Sequence, residues 1–353
     1  MREDQGMIAV APLHGRTPAP DLLLAGFSGP LLRWTFALLG RAMARRCPSA
    51  GQVSIGETAW TPPEPGGTGR LFFGDFVNED WAATLKEGLV PAVLVIDDMA
   101  AVCADMLQAG LEAGVIVRHL VAVATAQGDL AGQPNVLLLR RADFSDRVAA
   151  VARIMAHAGL PAEPFNLFAG EAGLAPWDMP PPPPLPASVL PLMEAVVTPA
   201  LQYGCTGIRG PVAWPRDCLL WGDHPGTPLP RVLDMTGPAR VVAYGPYYAL
   251  PSGSWTVRAT LAFSPASRGM PLALELHGAN VLGGVRFPVE QAGLFAASFI
   301  VVVPSSREPL EIRLLTERGA IEGTLGIDRI DLMPTARFVD SAPNQRRGSL
   351  VCS

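Results

Sequence analysis

Lysine is almost missing from this sequence: Lys86 is the only one, and every other cation is an arginine. Charge is sparse altogether, at 17% of residues with a net value of −5, so there is no basic footprint for nucleic acid or an anionic membrane surface. Cysteine is thin as well. Cys47, Cys103, Cys205, Cys218 and Cys352 are scattered, odd in number and without a CxxC pair, which excludes a disulfide framework or a zinc site by spacing. The histidines, His14, His119, His157, His224 and His277, are equally dispersed, with no HExxH or HxH, and no metal site is expected. No uninterrupted apolar stretch reaches membrane-spanning length: residues 22–45 are broken by Gly26, Gly29, Pro30, Arg33 and Arg41. Arg2 is followed by Glu3 and Asp4, unlike the basic start of a secretory leader, so a cytoplasmic location is the expectation.

What is present is apolar substance and punctuation. Hydrophobic residues make up 49% of 353, enough for a sizeable core and about two domains. Glycine and proline, 36 each, favour short elements and many turns. The abundance of Ala, Gly, Pro and Arg reads as GC-rich, bacterial codon usage. Five consecutive prolines, Pro180 to Pro184, favour an extended strut between domains, although such a run also suits an aromatic groove of a partner. The expected organisation is an arm over 1–20, an α/β domain over 21–161, and a Pro-rich linker over 162–204. A β-sandwich over 205–335 and a disordered tail over 336–353 complete it. Within the linker, Val189 to Tyr203 predicts a short helix broken by Pro191 and Pro199.

In the front half, apolar strands alternate with helical patterns, which predicts a mostly parallel sheet covered on both faces. DLLLAGF, RLFF, AVLVI and NVLLL read as strands. Leu31–Arg45, Asp80–Glu87, Ala100–Ala113 and Ser145–Ala158 read as helices, the last with Ser145 as N-cap, while Val115–Thr125 fits either period. The segment DLLLAGFSGPLLRWTFALLGRAM is strand, glycine-bearing turn, helix, a geometry that brings N–H groups and a helix N-terminus to a phosphate. It resembles the opening of the sulfotransferase family, and LVPAVLVIDDMAAVCADML and NVLLLRRADFSDRVAAVARIMAHAGLP follow in the family's order, over about residues 20–161. That resemblance implies an adenylyl-sulfate donor loop at Ser28, Gly29 and Arg33. The departures are Phe27 in place of the family's cation, Pro30 without an N–H, and Asp97-Asp98-Met99 where a 3′-phosphate arginine belongs. A dismantled donor site is therefore expected, with no cofactor. Asp97 and Asp98 read as helix caps or as an acid/base or cation pair, Arg140 and Arg141 as a solvated strand end or an anion site, and Cys103 as packing. Glu57 is an isolated general-base candidate.

Beyond the linker the rhythm is strands and turns, with alternation in SWTVRATLAF and LEIRLL. Seven or eight short strands predict an antiparallel β-sandwich or jelly roll. Trp214, Trp221, Tyr244, Tyr247, Tyr248 and Trp255 crowd into about forty residues, beside Asp217, Asp223, His224, Asp234 and Arg240. Rings that pack on sugar C–H faces, with polar groups for the hydroxyls, suit a glycan, and the layout resembles the jelly-roll carbohydrate-binding modules. Trp255 and Tyr244 read as core; Tyr247, Tyr248, Trp221, Asp223 and His224 are the glycan-binding candidates. Asp328 and Asp331 lack the dense carboxylates of a calcium loop, and no GxSxG or close carboxylate pair marks a hydrolase.

Three functions follow as expectations. The first is a non-catalytic glycan-binding or scaffolding protein of bacterial polysaccharide production, partnered by a glycan or by other proteins of that production. The second is an active sulfotransferase-type enzyme with a reshaped loop, and the third a structural assembly protein that binds other proteins.

Overall fold

A computed structural model describes residues 21–46, 51–55, 69–161, 182–335 and 350–352. Glu57, the arm, residues 162–181 of the expected linker (with Pro180 and Pro181 of the proline run) and tail residues 336–349 lie outside the described residues. In the front half, β1 (Leu22–Gly26), β2 (Gln52–Ser54), β3 (Leu71–Gly74), β4 (Ala92–Ile96) and β5 (Val136–Arg140) form one parallel sheet in the order β2-β3-β1-β4-β5. Strands β1 and β4 are buried along their whole length, as central parallel strands must be when helices cover both faces. The covering helices are α1 (Pro30–Arg46), α2 (Glu79–Lys86), α3 (Met99–Gln108), α4 (Ala113–Gly128) and α5 (Arg147–His157).

Local chemistry explains where the sequence reading shifts. The ambiguous Val115–Thr125 is helical within α4, because its apolar face is buried against α3, Phe27 and the sandwich. The helix expected over Ala100–Ala113 ends at Gln108, where Gly110 takes a φ of 85°. The N-cap of α5 is Asp146, whose carboxylate accepts the Ala149 N–H at 3.0 Å, and not Ser145.

The segment expected to be a broken helix is unbroken. Leu190–Leu192, a π-turn over Met193–Val197 and Thr198–Thr206 run on as one helix, α6. The wider turn accommodates Pro199, which has no N–H to give, and the Thr198 hydroxyl donates to the Met193 carbonyl at 3.0 Å. This helix packs on α4 so tightly that a Cβ at Gly128 would collide with the Tyr203 ring, and one at Gly204 would lie 2.8 Å from the Ala124 carbonyl. The second half of the expected linker is thus part of the domain junction.

The back half is two antiparallel sheets around a shared core. One, ordered β16-β13-β10-β15-β6 with β8 beside β15, contains β6 (Val212–Pro215), β8 (Leu233–Asp234), β10 (Gly253–Phe263), β13 (Gly293–Val303), β15 (Thr324–Pro334) and β16 (Leu350–Cys352). The other, ordered β12-β11-β14-β9-β7, contains β7 (Leu220–Trp221), β9 (Arg240–Tyr248), β11 (Pro271–His277), β12 (Val281–Pro288) and β14 (Leu310–Thr316). Trp255, Val257, Ala259 and Leu261 of β10 are all buried, as their alternation predicts. Three residues of the expected disordered tail, Leu350–Cys352, pair with Phe295–Ala297 of β13.

The β13–β14 loop fastens the sandwich to the α/β domain. Arg307, with 6% of its side chain exposed, meets Asp129, 10% exposed, at 3.1 Å. Arg307 Nε also donates to the Val77 carbonyl at 2.9 Å, while Asp129 accepts hydrogen bonds from the hydroxyls of Tyr203 (2.7 Å) and Ser306. Removing one partner of such a pair strands the other charge away from water. Arg307→Ala should therefore lower the unfolding free energy by about 3–5 kcal/mol in urea titrations. A loss below about 1 kcal/mol, the range of an exposed pair, would show that the junction is held elsewhere.

Candidate functional site

In an open parallel sheet the ligand crevice lies beyond the carboxyl ends of the strands where the order reverses, here β1 and β4. The loop after β1 holds Phe27 and Gly29 buried and Ser28 half-buried, and Pro30 opens α1. The crevice is filled by the chain itself. Asp97, its side chain fully buried, accepts the Leu31 N–H of the first turn of α1 at 2.7 Å and the Asp98 N–H at 2.8 Å. Arg141 stands 3.6 Å from the same carboxylate. Gly29 permits the fit, since a Cβ there would lie 2.5 Å from Asp97 Oδ2. Arg33, expected in an anion loop, is 62% exposed and paired with Asp105 of α3 at 3.1 Å. Of the two aspartates expected to cap the following helix, Asp98 does so, accepting from Ala100 and Ala101, while Asp97, just after the neighbouring strand β4, caps α1. Arg140 pairs with Asp143, and Cys103 is buried, its thiol pushed up by desolvation.

The aromatic cluster divides into three. Trp214 and Trp255 are core, and Tyr248, 2% exposed, packs edge-on against Trp214, so it has no face left for a sugar. Trp221 pairs in register with the core-facing Ala243 and packs against His224 at the rim, with ring centroids 4.0 Å apart and the rings tilted by 55°. Beside them Asp223 is bound by Arg240 at 2.5 and 3.0 Å, which holds its carboxyl below the usual range. The third group faces out from the five-stranded sheet. Tyr244 lies opposite Arg313, Arg313 opposite Glu275, and Glu275 opposite Gly284, so the three side chains share one face of β9, β14 and β11. Tyr244 was expected in the core and is instead half-buried on this outer face.

A bulge brings Tyr247 to the same face. Leu310 pairs with Tyr248 and Glu311 with Pro246, leaving Tyr247 as the extra residue. Its φ is 67°, and it is the one non-glycine residue with positive φ among the described residues. A side chain in this region costs about 1–2 kcal/mol. The result is a ring 6.4 Å from that of Tyr244 and a hydroxyl that donates to Glu311 at 2.9 Å. Burial, and then this hydrogen bond, push the Tyr247 hydroxyl up to about 12. Glu311 in turn accepts from Arg313 at 2.6 and 2.9 Å, and Glu275 bonds to His277 at 3.0 Å and Arg286 at 3.1 Å. The face therefore offers two ring surfaces beside a fixed lattice of donors and acceptors. Glu275, His277, Glu311 and Arg313 were missed in the sequence; their signal is charge at every second position in LALELH and LEIRLL. Asp331, a calcium candidate, is paired with Arg329 at 3.0 Å, and among the described residues no three His, Cys, Asp or Glu gather as a metal site. No helix among them is long and apolar enough to cross a membrane.

Desolvation raises the Asp97 carboxyl above 3.8. A carboxyl raised on folding binds its proton more readily in the native state. Its ionisation then costs stability as pH rises from the unfolded value through the folded one, and the cost is absent below both. Asp97→Asn keeps an acceptor for Leu31 without the charge. Denaturation at a series of pH values should show the variant gaining on the parent as pH rises above 3.8. Parallel profiles would contradict the assignment.

No protein-family profile matches the chain, and no curated protein matches it. Among solved structures it is similar to TmCBM61 in complex with β-1,4-galactotriose, at 14% identity and a TM-score of 0.24, over 28% of this chain and 67% of that one. It is also similar to the carbohydrate-binding module CBM36 in complex with calcium and xylotriose, at 14% identity and a TM-score of 0.20, over 28% and 77%. A third is CBM6cm-2 from Cellvibrio mixtus lichenase 5A in complex with cellotriose, at 18% identity and a TM-score of 0.19, over 30% and 71%.

Proposed function

We propose that this protein binds a glycan on the outer face of its five-stranded antiparallel sheet, without transforming it. The observation that carries this reading is the bulge at Tyr247. A left-handed tyrosine is costly to keep, and backbone strain of this kind concentrates where function requires a side chain to be aimed. Here it sets Tyr247 beside Tyr244 on one face, with the Glu311–Arg313 pair alongside. Sugar C–H faces pack on such rings, and sugar hydroxyls exchange hydrogen bonds with the carboxylates and guanidiniums. The role inferred with it is binding or scaffolding in the production of bacterial polysaccharide. The occupied crevice of the α/β domain supports binding over transfer chemistry, because the Leu31 N–H at the start of α1, placed to meet a donor phosphate, already holds Asp97.

Tyr247→Gly separates the ring from the fold, since glycine takes a φ of 67° without penalty. Titrated calorimetrically against the best ligand from a panel of soluble polysaccharides, the variant should bind about tenfold or more weakly, with an unchanged melting temperature. Tyr248→Phe should bind like the parent, because Tyr248 is buried. Equal binding by the parent and Tyr247→Gly would overturn the site. Adenosine 3′,5′-bisphosphate should leave the melting temperature of the parent unmoved, and a saturable rise would instead favour a working donor site.

A further inference from the structure

The same face carries information about its ligand. Resting on the glycan reading, we infer that the site takes an uncharged oligosaccharide of several consecutive units lying across the strands, and discriminates against carboxylated or sulfated chains.

Length follows from register. The row from Tyr244 through Arg313 and Glu275 to Gly284 crosses β9, β14, β11 and β12 with one residue per strand. Strands lie about 4.8 Å apart, so the row spans roughly 14 Å. A pyranose unit extends about as far along a chain as one strand spacing, and the row therefore accommodates about one sugar per strand. The tyrosines stand at one end of it. At the other end Gly284 is exposed, with no side chain to wall off the sheet, and β12 is an edge strand. A single sugar on Tyr244 and Tyr247 would leave Arg313, Glu275 and Arg286 untouched.

Charge follows from pairing. Each guanidinium along the row is already matched: Arg313 by Glu311 at 2.6 Å, and Arg286 by Glu275 at 3.1 Å and Glu317 at 2.7 Å. Carboxylates outnumber guanidiniums three to two, and His277 spends a ring nitrogen on Glu275. An anionic sugar that reached the open hydrogens of Arg313 or Arg286 would still stand at close range to carboxylates that outnumber these guanidiniums. Uncharged hydroxyls meet no such repulsion. They bond to the carboxylate lone pairs and guanidinium hydrogens that the internal pairs leave open.

The test is calorimetry on the full chain. One arm is a series of one to six units of the uncharged backbone that binds best in the panel; the others are oligogalacturonates and sulfated heparin fragments of matched length. Affinity should rise about tenfold or more from one unit to about four and then level off, and charged chains of equal length should bind at least about tenfold more weakly. In Glu275→Gln/Glu317→Gln, Arg286 loses both carboxylates, so the deficit of the carboxylated chains should shrink about tenfold while the melting temperature reports an intact fold. A single sugar binding as tightly as four, or charged chains binding more tightly than uncharged ones, would overturn this inference and leave the glycan reading standing. Failure of every chain to bind, at any length or charge, would sink the glycan reading itself.

Discussion

Two opposite charges withdrawn from water make one body of this protein. Asp129 follows α4 of the α/β domain, and Arg307 sits at the tip of a sandwich loop. Neither is tolerable alone in that environment, where an unpaired charge costs several kcal/mol. Their geometry is therefore fixed by mutual need, with Tyr203 of α6 bound to the same carboxylate. The end of α4, helix α6 and the loop meet at one point, and the apolar core runs without interruption from Val117 and Leu120 of α4 to Val257 and Leu261 of β10. The close approach of α4 and α6 at Gly128 and Gly204 is a further condition of this arrangement. Strand β14, which carries Glu311 and Arg313, begins three residues after Arg307, so the chain runs directly from the junction into the outer sheet face.

Within that frame a single backbone irregularity composes the face. Side chains alternate along a strand, so Tyr244 and Tyr247, three apart, belong on opposite sides of a regular β9. The bulge breaks the alternation. It turns Tyr247 outwards to join Tyr244 and sends Tyr248 inwards to Trp214. The cross-strand pairs then do the rest, because Arg313 opposite both Tyr244 and Glu275 ties three strands into one polar lattice.

This accounts for what could be read in the sequence and what could not. The strands of both halves were legible, because burial imposes a continuous apolar run on AVLVI and strict alternation on SWTVRATLAF. The aromatic concentration around Tyr247 was legible too. The face was not, since period-two counting assigns Tyr247 and Tyr248 to opposite sides without saying which side is out, and bulge positions leave no compositional mark. Pro199 misled for a related reason. Its missing N–H reads as a break, whereas a π-turn absorbs it once α6 is held against α4. Glu275 and Arg313, like His277 and Glu311, lie far apart in the chain and meet through register alone.

The front domain presents the converse situation, in which a helix end that could hold a ligand holds a side chain of the same chain. A strand, a glycine turn and a helix N-terminus make a cradle for an anion. Asp97 supplies that anion from the neighbouring strand. The arrangement satisfies the helix end but leaves a charge in a desolvated position, with Arg141 at 3.6 Å as its counter-ion. A diffusible phosphate would have to compete with a carboxylate whose effective concentration is set by the fold itself, and it would meet like charge in the attempt. At the far end of α4 the same domain meets the sandwich, where Asp129 pairs with Arg307.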